Sequence, residues 1–281
     1  MQILHTLDEM HKLVSAARRG GKSIGLVPTM GFFHAGHLSL MQQARKDNDL
    51  VVVSVFVNPT QFGPSEDFKT YPRDMDHDAR LAESVGVDVI FNPSPEEMYP
   101  EGYSTYVEVE RFSKGLCGAS RPGHFRGVAT VCLKLMNITG PDRAYFGMKD
   151  YQQLRVVQRM AADLNLCVQI VPMPIFREPD GLAMSSRNTY LNPAERRAAL
   201  ILKKALEYAQ RLIDEGITSA DELRIRVVEF VSTEPLAQID YVEVVDPDTL
   251  DCIKTLDHNA VLALAVKIGN TRLIDNTILK V

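Results

Sequence analysis

The run LVVVSVFV, Leu50–Val57, does most to limit what this chain can become. It is apolar on both faces, without the in–out alternation of a half-solvated strand. It therefore belongs at the centre of a parallel sheet with helices over each side. The neighbouring pattern agrees. SIGLV at 23–27 reads as a short buried strand, and a helical apolar pattern follows to about Asn48. A helix near Asp74–Ser84 leads to VDVIF, one over about Phe125–Asn137 to RAYF, and one over Tyr151–Leu164 to CVQIVPMPI. Strands alternating with helices at this spacing predict an α/β fold with a doubly wound parallel sheet, whose ligands sit at the carboxyl ends of the strands.

After about Pro174 the pattern changes. NPAERRAALILKKALEYAQRLIDEG reads as one long amphipathic helix, SADELRIRVVEFV as a second, and IDYVEVVD, AVLALAVKI and TRLIDNTIL as consecutive strands. Helices followed by successive strands predict a smaller α+β domain, so the expected division is 1–174 and 175–281. A chain of 281 residues is long enough for its core to begin dividing. Near the start, Thr6 and Glu9 have capping-box spacing and Gly20-Gly21 close the helix they open. The stretch NPSPEEMYPEGYSTY is rich in turn formers and reads as loop.

Composition removes several function classes. A net charge of -5 argues against a general nucleic-acid binder. Cys117, Cys132, Cys167 and Cys252 are scattered, form no CxxC pair and read as reduced thiols, which suits the cytoplasm. Asp8 and Glu9 interrupt the apolar stretch that a signal peptide needs, and VVVSVFV and AVLALAV are too short to span a bilayer. The expectation is a soluble cytoplasmic protein with no nucleic-acid or membrane partner.

Four motifs carry chemistry. In VPTMGFFHAGHLSL, His34 and His37 fall on one face of the first helical turn after a strand. There the free N–H groups and the positive end of the helix dipole favour an anion, and each ring can donate to a phosphate oxygen. Gly31 and Gly36 let a bulky ligand approach the backbone. Taken alone, the pair also reads as zinc ligands or as surface histidines. Zinc needs a third and fourth ligand, and no local Cys or His cluster supplies them, with only His77 and His124 as distant candidates.

In YFGMKDYQQL, Gly147 turns the chain and Lys149 offers a mobile positive charge for phosphate, Asp150 an acceptor for ribose hydroxyls, and Gln153 faces the same cleft. In DGLAMSSRN, Ser185, Ser186 and Arg187 offer donors to a polyphosphate on a loop that Gly181 makes flexible. In SVFVNPTQF, Asn58 and Gln61 lie just past the central strand and suit a small substrate with hydroxyl and carboxylate groups, while SRPGHFRGV adds Arg121, His124 and Arg126. Separately, these read equally as a solvated lysine beside an Asp cap, an ordinary turn, and solvated arginines.

Together, PTMGFFHAGH, VSVFVNPTQF, YPRD, SRPGHFRGV, FGMKDYQQL and DGLAMSSRNTYL resemble the pantoate–β-alanine ligase family of the HIGH-type nucleotidyl-transferase superfamily, in family order over residues 28–191. The resemblance implies a Rossmann-like N-domain, a smaller C-domain acting as a lid, and a homodimer. It implies adenylation of pantoate by ATP with Mg²⁺, then attack by β-alanine to give pantothenate and AMP. By position, Met30, Gly31, His34, Gly36 and His37 line the ATP site, with His34, His37 and Lys149 catalytic and His37 the proton donor. Gly147, Met148, Lys149, Asp150, Phe176 and Met184 to Arg187 bind nucleotide. Gln61, Gln153, Asn58 and His124 bind pantoate or β-alanine, and Asp78 is a magnesium neighbour. The sequence departs from the family at Met148, where Glu or Gln is common, and in the bulk of Phe32 and Phe33. The alternative reading is a nucleotidyltransferase that adenylates a phosphorylated acceptor without a ligation step.

Overall fold

The computed structural model describes residues 1–64 and 66–281, and the described chain divides into two compact units. The first comprises Met1–Ser113, Arg121–Met148 and Gln153–Pro174; the second comprises Lys114–Ser120, Lys149–Gln152 and Ile175–Val281.

The first part of the chain runs β1 (Gln2–Leu4), α1 (Leu7–Arg19), β2 (Ile24–Thr29), α2 (Ala35–Asp47), β3 (Leu50–Val55), α3 (Met75–Ser84) and β4 (Val89–Phe91). It continues through the short helices α4 (Pro95–Met98) and α5 (Cys117–Ser120), then α6 (His124–Thr139), β5 (Arg143–Gly147), α7 (Tyr151–Asp163) and β6 (Gln169–Met173). The six strands form one sheet in the order β1-β4-β3-β2-β5-β6, and every pairing is parallel. Leu50–Val55 is buried along its whole length between β4 and β2, as its two-sided apolarity requires. Val27, Val51, Val53 and Val55 pack on one face with Leu40, Met41 and Ala44 of α2 and Ala82 of α3. Across the sheet α6 packs on β2, and α1 packs on α6.

This order fixes where a ligand can enter. From β2 the chain winds outward through β3 to β4, then returns to start β5 on the other side of β2. The direction of winding reverses between β2 and β5, and such a reversal leaves a crevice at the carboxyl ends of the strands. The β2–β5 ladder covers only Gly25 and Leu26. Pro28, which has no N–H to give, lies past its end, so the two strands separate where the crevice begins.

The second unit contains α8 (Pro193–Ala198), α9 (Leu200–Asp214), α10 (Ala220–Val231) and the antiparallel sheet β7 (Ala237–Val245), β8 (Ala260–Ile268), β9 (Thr271–Leu279). Leu202, Leu206 and Leu212 of α9 and Leu223 and Val227 of α10 form one core with Leu262, Leu264, Leu273 and Leu279 of the sheet. The single long helix expected over residues 192–216 is two helices. At Ala199 a tightened bond, Leu202 N–H to the Ala199 carbonyl, interrupts the α ladder. Strand β1 was not expected at all. Its three residues pair with Val89–Phe91 and carry no periodicity of their own.

Candidate active site

The turn after β2 is built from unusual backbone. Gly31 has φ +84° and Phe32 φ +54°, so two consecutive residues occupy the left-handed region, where a phenylalanine is strained. A Cβ on Gly31 would lie 2.9 Å from Val55 Cγ1 and 3.0 Å from Asp78 Oδ2, so only glycine fits. Asp78, buried in the first turn of α3, holds the turn in place. The N–H of Phe32 donates to its Oδ2 (2.7 Å) and the N–H of Phe33 to its Oδ1 (2.6 Å). Burial raises the Asp78 carboxyl above its ordinary pKa despite these donors.

That turn delivers His34 to the N-cap of α2 and His37 to its third position. The rings stack with centroids 4.0 Å apart and planes at 22°. The His34 N–H donates to Nδ1 of His37 (3.4 Å), so a neutral His37 ring carries its proton on Nε2. A ring N–H and the N–H groups of a helix start are the donors a phosphate needs. The first turn of α2 holds no acid to oppose an anion.

The SVFVNPTQF motif is joined to the first through side chains. Gln61 Nε2 donates to the sulfur of Met30 (3.2 Å), and its Oε1 accepts from Asn58 Nδ2 (3.1 Å). Asn58, expected at the substrate, is instead a buried hub. Its Nδ2 also reaches the Gly127 carbonyl (3.1 Å), and its Oδ1 accepts from Tyr99 OH (2.8 Å) and Thr60 Oγ1 (2.9 Å). These bonds hold Gln61 in place. His124 has a similar duty. Arg121 can only donate, so it fixes Nε2 as acceptor (3.0 Å), and Nδ1–H then donates to the Gln61 carbonyl (2.9 Å). Arg121 also forks onto Glu66 at 2.6 and 2.7 Å. Burial pushes the Glu66 carboxyl up, but Arg121 outweighs it and leaves it below the usual carboxylate range. Helix α6 meets this corner at Gly127, where a Cβ would lie 2.4 Å from the Thr60 carbonyl oxygen.

Gly147 and Met148 close β5 in the first unit, and Gln153 stands half-buried in the first turn of α7. Lys149 and Asp150 belong to the second unit, where the Lys149 carbonyl accepts from Asn276 Nδ2 (2.8 Å). Also in that unit, Phe176 is exposed and its carbonyl accepts from the Met184 N–H (3.0 Å), closing a loop at whose end Ser185 caps a short helical turn, Ser186–Tyr190. The Ser185 hydroxyl accepts from the Arg187 N–H (3.3 Å), and Ser186 is buried. Gly181 has φ +94°, yet the loop around it is tied down: Arg177 reaches the Gly181 carbonyl (3.0 Å) and Arg196 pairs with Glu178 (2.6 Å) and Asp180 (2.9 Å).

Each Asp78 oxygen accepts one backbone N–H, so this carboxylate fixes the turn that precedes α2. Among the described residues no group of three or more His, Cys, Asp or Glu is arranged to hold a metal ion. The supports that sequence reasoning missed are Tyr99, Glu66, Asp275 and Asn276, together with the clamping duty of Asp78. Only Asp78 left a trace of that duty in the sequence, as an acid in the first turn of a helix, where a solvated side chain is the ordinary reading.

A parallel sheet whose switch point opens on a strained glycine turn and a histidine-capped helix defines a Rossmann-like α/β enzyme. The chain matches the family Pantoate-beta-alanine ligase over residues 2–278, and it belongs to that family of ligases. It is 57% identical to the pantothenate synthetase of Pelotomaculum thermopropionicum over 279 residues, covering 99% of both chains. The crystal structure of pantothenate synthetase from Thermus thermophilus superposes with a TM-score of 0.93 at 45% identity, covering 99% of both chains. The pantoate-beta-alanine ligase of Francisella tularensis, crystallised with beta-gamma ATP and beta-alanine, superposes with a TM-score of 0.81 at 34% identity, covering 99% of this chain and 97% of that one.

Proposed function

We propose that the chain condenses (R)-pantoate with β-alanine in two steps on one ATP. The carboxylate of pantoate attacks the α-phosphate, displacing pyrophosphate and forming pantoyl adenylate. The amine of β-alanine then attacks the acyl carbon, releasing AMP and forming the amide. The first step brings two negative groups together, so its barrier falls only where positive charge and N–H donors surround the phosphates. His34, His37 and the start of α2 are read as such donors, and so are Lys149, Ser185, Ser186 and Arg187. His37, whose neutral ring carries its proton on Nε2, donates to the phosphate oxygens as pyrophosphate leaves. Gln61 and Gln153 hold pantoate, with Asn58 and His124 fixing Gln61. Gly147, Met148, Asp150, Phe176 and Met184 complete the nucleotide contacts, alongside Met30, Gly31 and Gly36.

The observation that carries this reading is the His34–His37 pair at the switch-point helix, joined through Met30 to Gln61. Bound with ATP, Mg²⁺ would neutralise charge on the phosphates, with Asp78 as its neighbour. No helix of the described residues is long and apolar enough to cross a membrane. A cytoplasmic homodimer with a smaller domain over residues 175–281 completes the reading. The test is product analysis. With ATP, Mg²⁺ and pantoate, adding β-alanine is expected to release free AMP and pantothenate in equal amounts. Pyrophosphate release without free AMP after the amine is supplied fits a nucleotidyltransferase instead and contradicts the ligation step.

A further inference from the structure

Strand β9 carries two adjacent polar residues, Asp275 and Asn276, which are 2% and 4% exposed. Buried polar side chains in a small sheet are costly unless each finds a partner. Successive residues of a strand face opposite sides, so Asp275 shares the side of Leu273 and Leu279 toward the helix-covered core, and Asn276 faces away from it.

Both partners lie in segments assigned to the nucleotide. Asp275 takes the Arg177 guanidinium in a fork, 2.7 Å from Nη1 and 2.9 Å from Nη2. Arg177 passes this on to the Gly181 carbonyl (3.0 Å), within the loop that continues to Ser185 and Arg187. Asn276 Nδ2 donates to the Lys149 carbonyl (2.8 Å), across 127 residues of sequence. The Asn276 backbone N–H donates to Asp275 Oδ1 (2.8 Å), which ties the Asp275 carboxylate to the strand main chain beside Asn276. Neighbouring anchors hold the rest of the Lys149 segment: Tyr151 OH donates to the Pro247 carbonyl (2.9 Å) and Gln152 Nε2 to the Gly115 carbonyl (2.7 Å).

We propose that Asn276 and Asp275 are positioning residues of the ligase reaction, which set the Lys149 main chain and the Arg187 loop in a common register. The inference rests on Lys149 serving the triphosphate. A lysine amine on a flexible stem acts at a defined place only if its main chain is fixed, and small misplacements of catalytic groups cost heavily in rate. The loss belongs in adenylate formation rather than in pantoate affinity.

The test is a double-mutant cycle on the full-length enzyme, reading pantoate-dependent pyrophosphate release, with thermal unfolding as the fold control. Asn276→Asp keeps the side-chain volume and removes the N–H donor. It is expected to lower kcat by about tenfold to about a hundredfold with KM for pantoate unchanged. In a Lys149→Ala background the same change is expected to cost less than about twofold, because its route of action is already gone. Asn276→Ser, smaller and uncharged, is run through the same cycle so that a failure of Asn276→Asp to fold leaves the result readable. A full kcat in either folded variant, or losses that multiply with Lys149→Ala, overturns the positioning role. Normal turnover in Lys149→Ala alone overturns the role of Lys149 and the inference built on it.

Discussion

Asp78 shows how a single buried carboxylate stabilises backbone that the local sequence disfavours. A phenylalanine in the left-handed region costs on the order of 1–2 kcal/mol, and the two N–H bonds from Phe32 and Phe33 oppose that cost. Asp78→Asn turns one acceptor into a donor facing an N–H. It is expected to lower unfolding free energy by about 1–3 kcal/mol in a urea titration, and to slow pyrophosphate release because His34 and His37 start from this turn. Wild-type stability and rate in Asp78→Asn contradict the clamp. The resemblance marks Asp78 as a magnesium neighbour, and nothing in DMDHDAR shows its clamping duty. Its partners lie 45 and 46 residues earlier and meet it only once β2 and α3 have packed. The same holds for the bonds from Asn58 and His124 to Gln61, whose partners the local sequence does not show. The motifs around His37 and Lys149 stand out because each places charge just after a strand, which local pattern alone can show.

Among the helices and strands, the contact between α6 and the Asn58–Gln61 corner depends on Gly127. A methyl group there meets the Thr60 carbonyl oxygen at 2.4 Å and Gln61 Cα at 2.7 Å. Gly127→Ala is therefore expected to cost about 1–3 kcal/mol in stability and to raise KM for pantoate, both read on one purified variant. An unchanged KM contradicts the link from α6 to Gln61. The turn after β7 carries a pH signature. There Asp246 accepts from the N–H groups of Thr249 (2.7 Å) and Asp248 (2.9 Å) and pairs with His258. The Thr249 N–H chiefly, then His258 and Asp248, hold the Asp246 carboxyl below its ordinary pKa. Asp257 and then Asp246 raise that of His258 above the usual 6.5. His258 therefore contributes stability that is full below 6.5 and fades as pH rises through its raised value, while the share of Asp246 is lost only in acid. The urea midpoints of wild type and His258→Ala are expected to differ near pH 6 and to converge as the pH rises. A gap that widens with pH contradicts the pairing. Strands β2 to β6 were legible because each carries its own burial pattern. Strand β1 and the break at Ala199 were not, since one depends on β4 as a template and the other on a single bond in a continuous amphipathic run.

Across the full chain, a net charge of -5 coexists with a set of cationic and N–H donors drawn from segments far apart in sequence. Alternating strands and helices make the parallel sheet readable from sequence, and with it the strand ends where ligands bind. The supports that run from β9 to Lys149 and Arg177 were not readable, because they span 127 and 98 residues and join side chains whose local patterns are unremarked. The homodimer is open to sedimentation analysis, with a dimer mass expected at micromolar concentration and a monomer mass contradicting it. The proposition that His37 and Lys149 serve the adenylation step is tested most directly by pantoate-dependent exchange of labelled pyrophosphate into ATP, measured on wild type, His37→Ala and Lys149→Ala. Exchange is expected in the wild type and is expected to fall by about a hundredfold or more in each variant, since one preorganised donor is worth about 3 kcal/mol. Wild-type exchange in either folded variant contradicts the role given to that residue in adenylation.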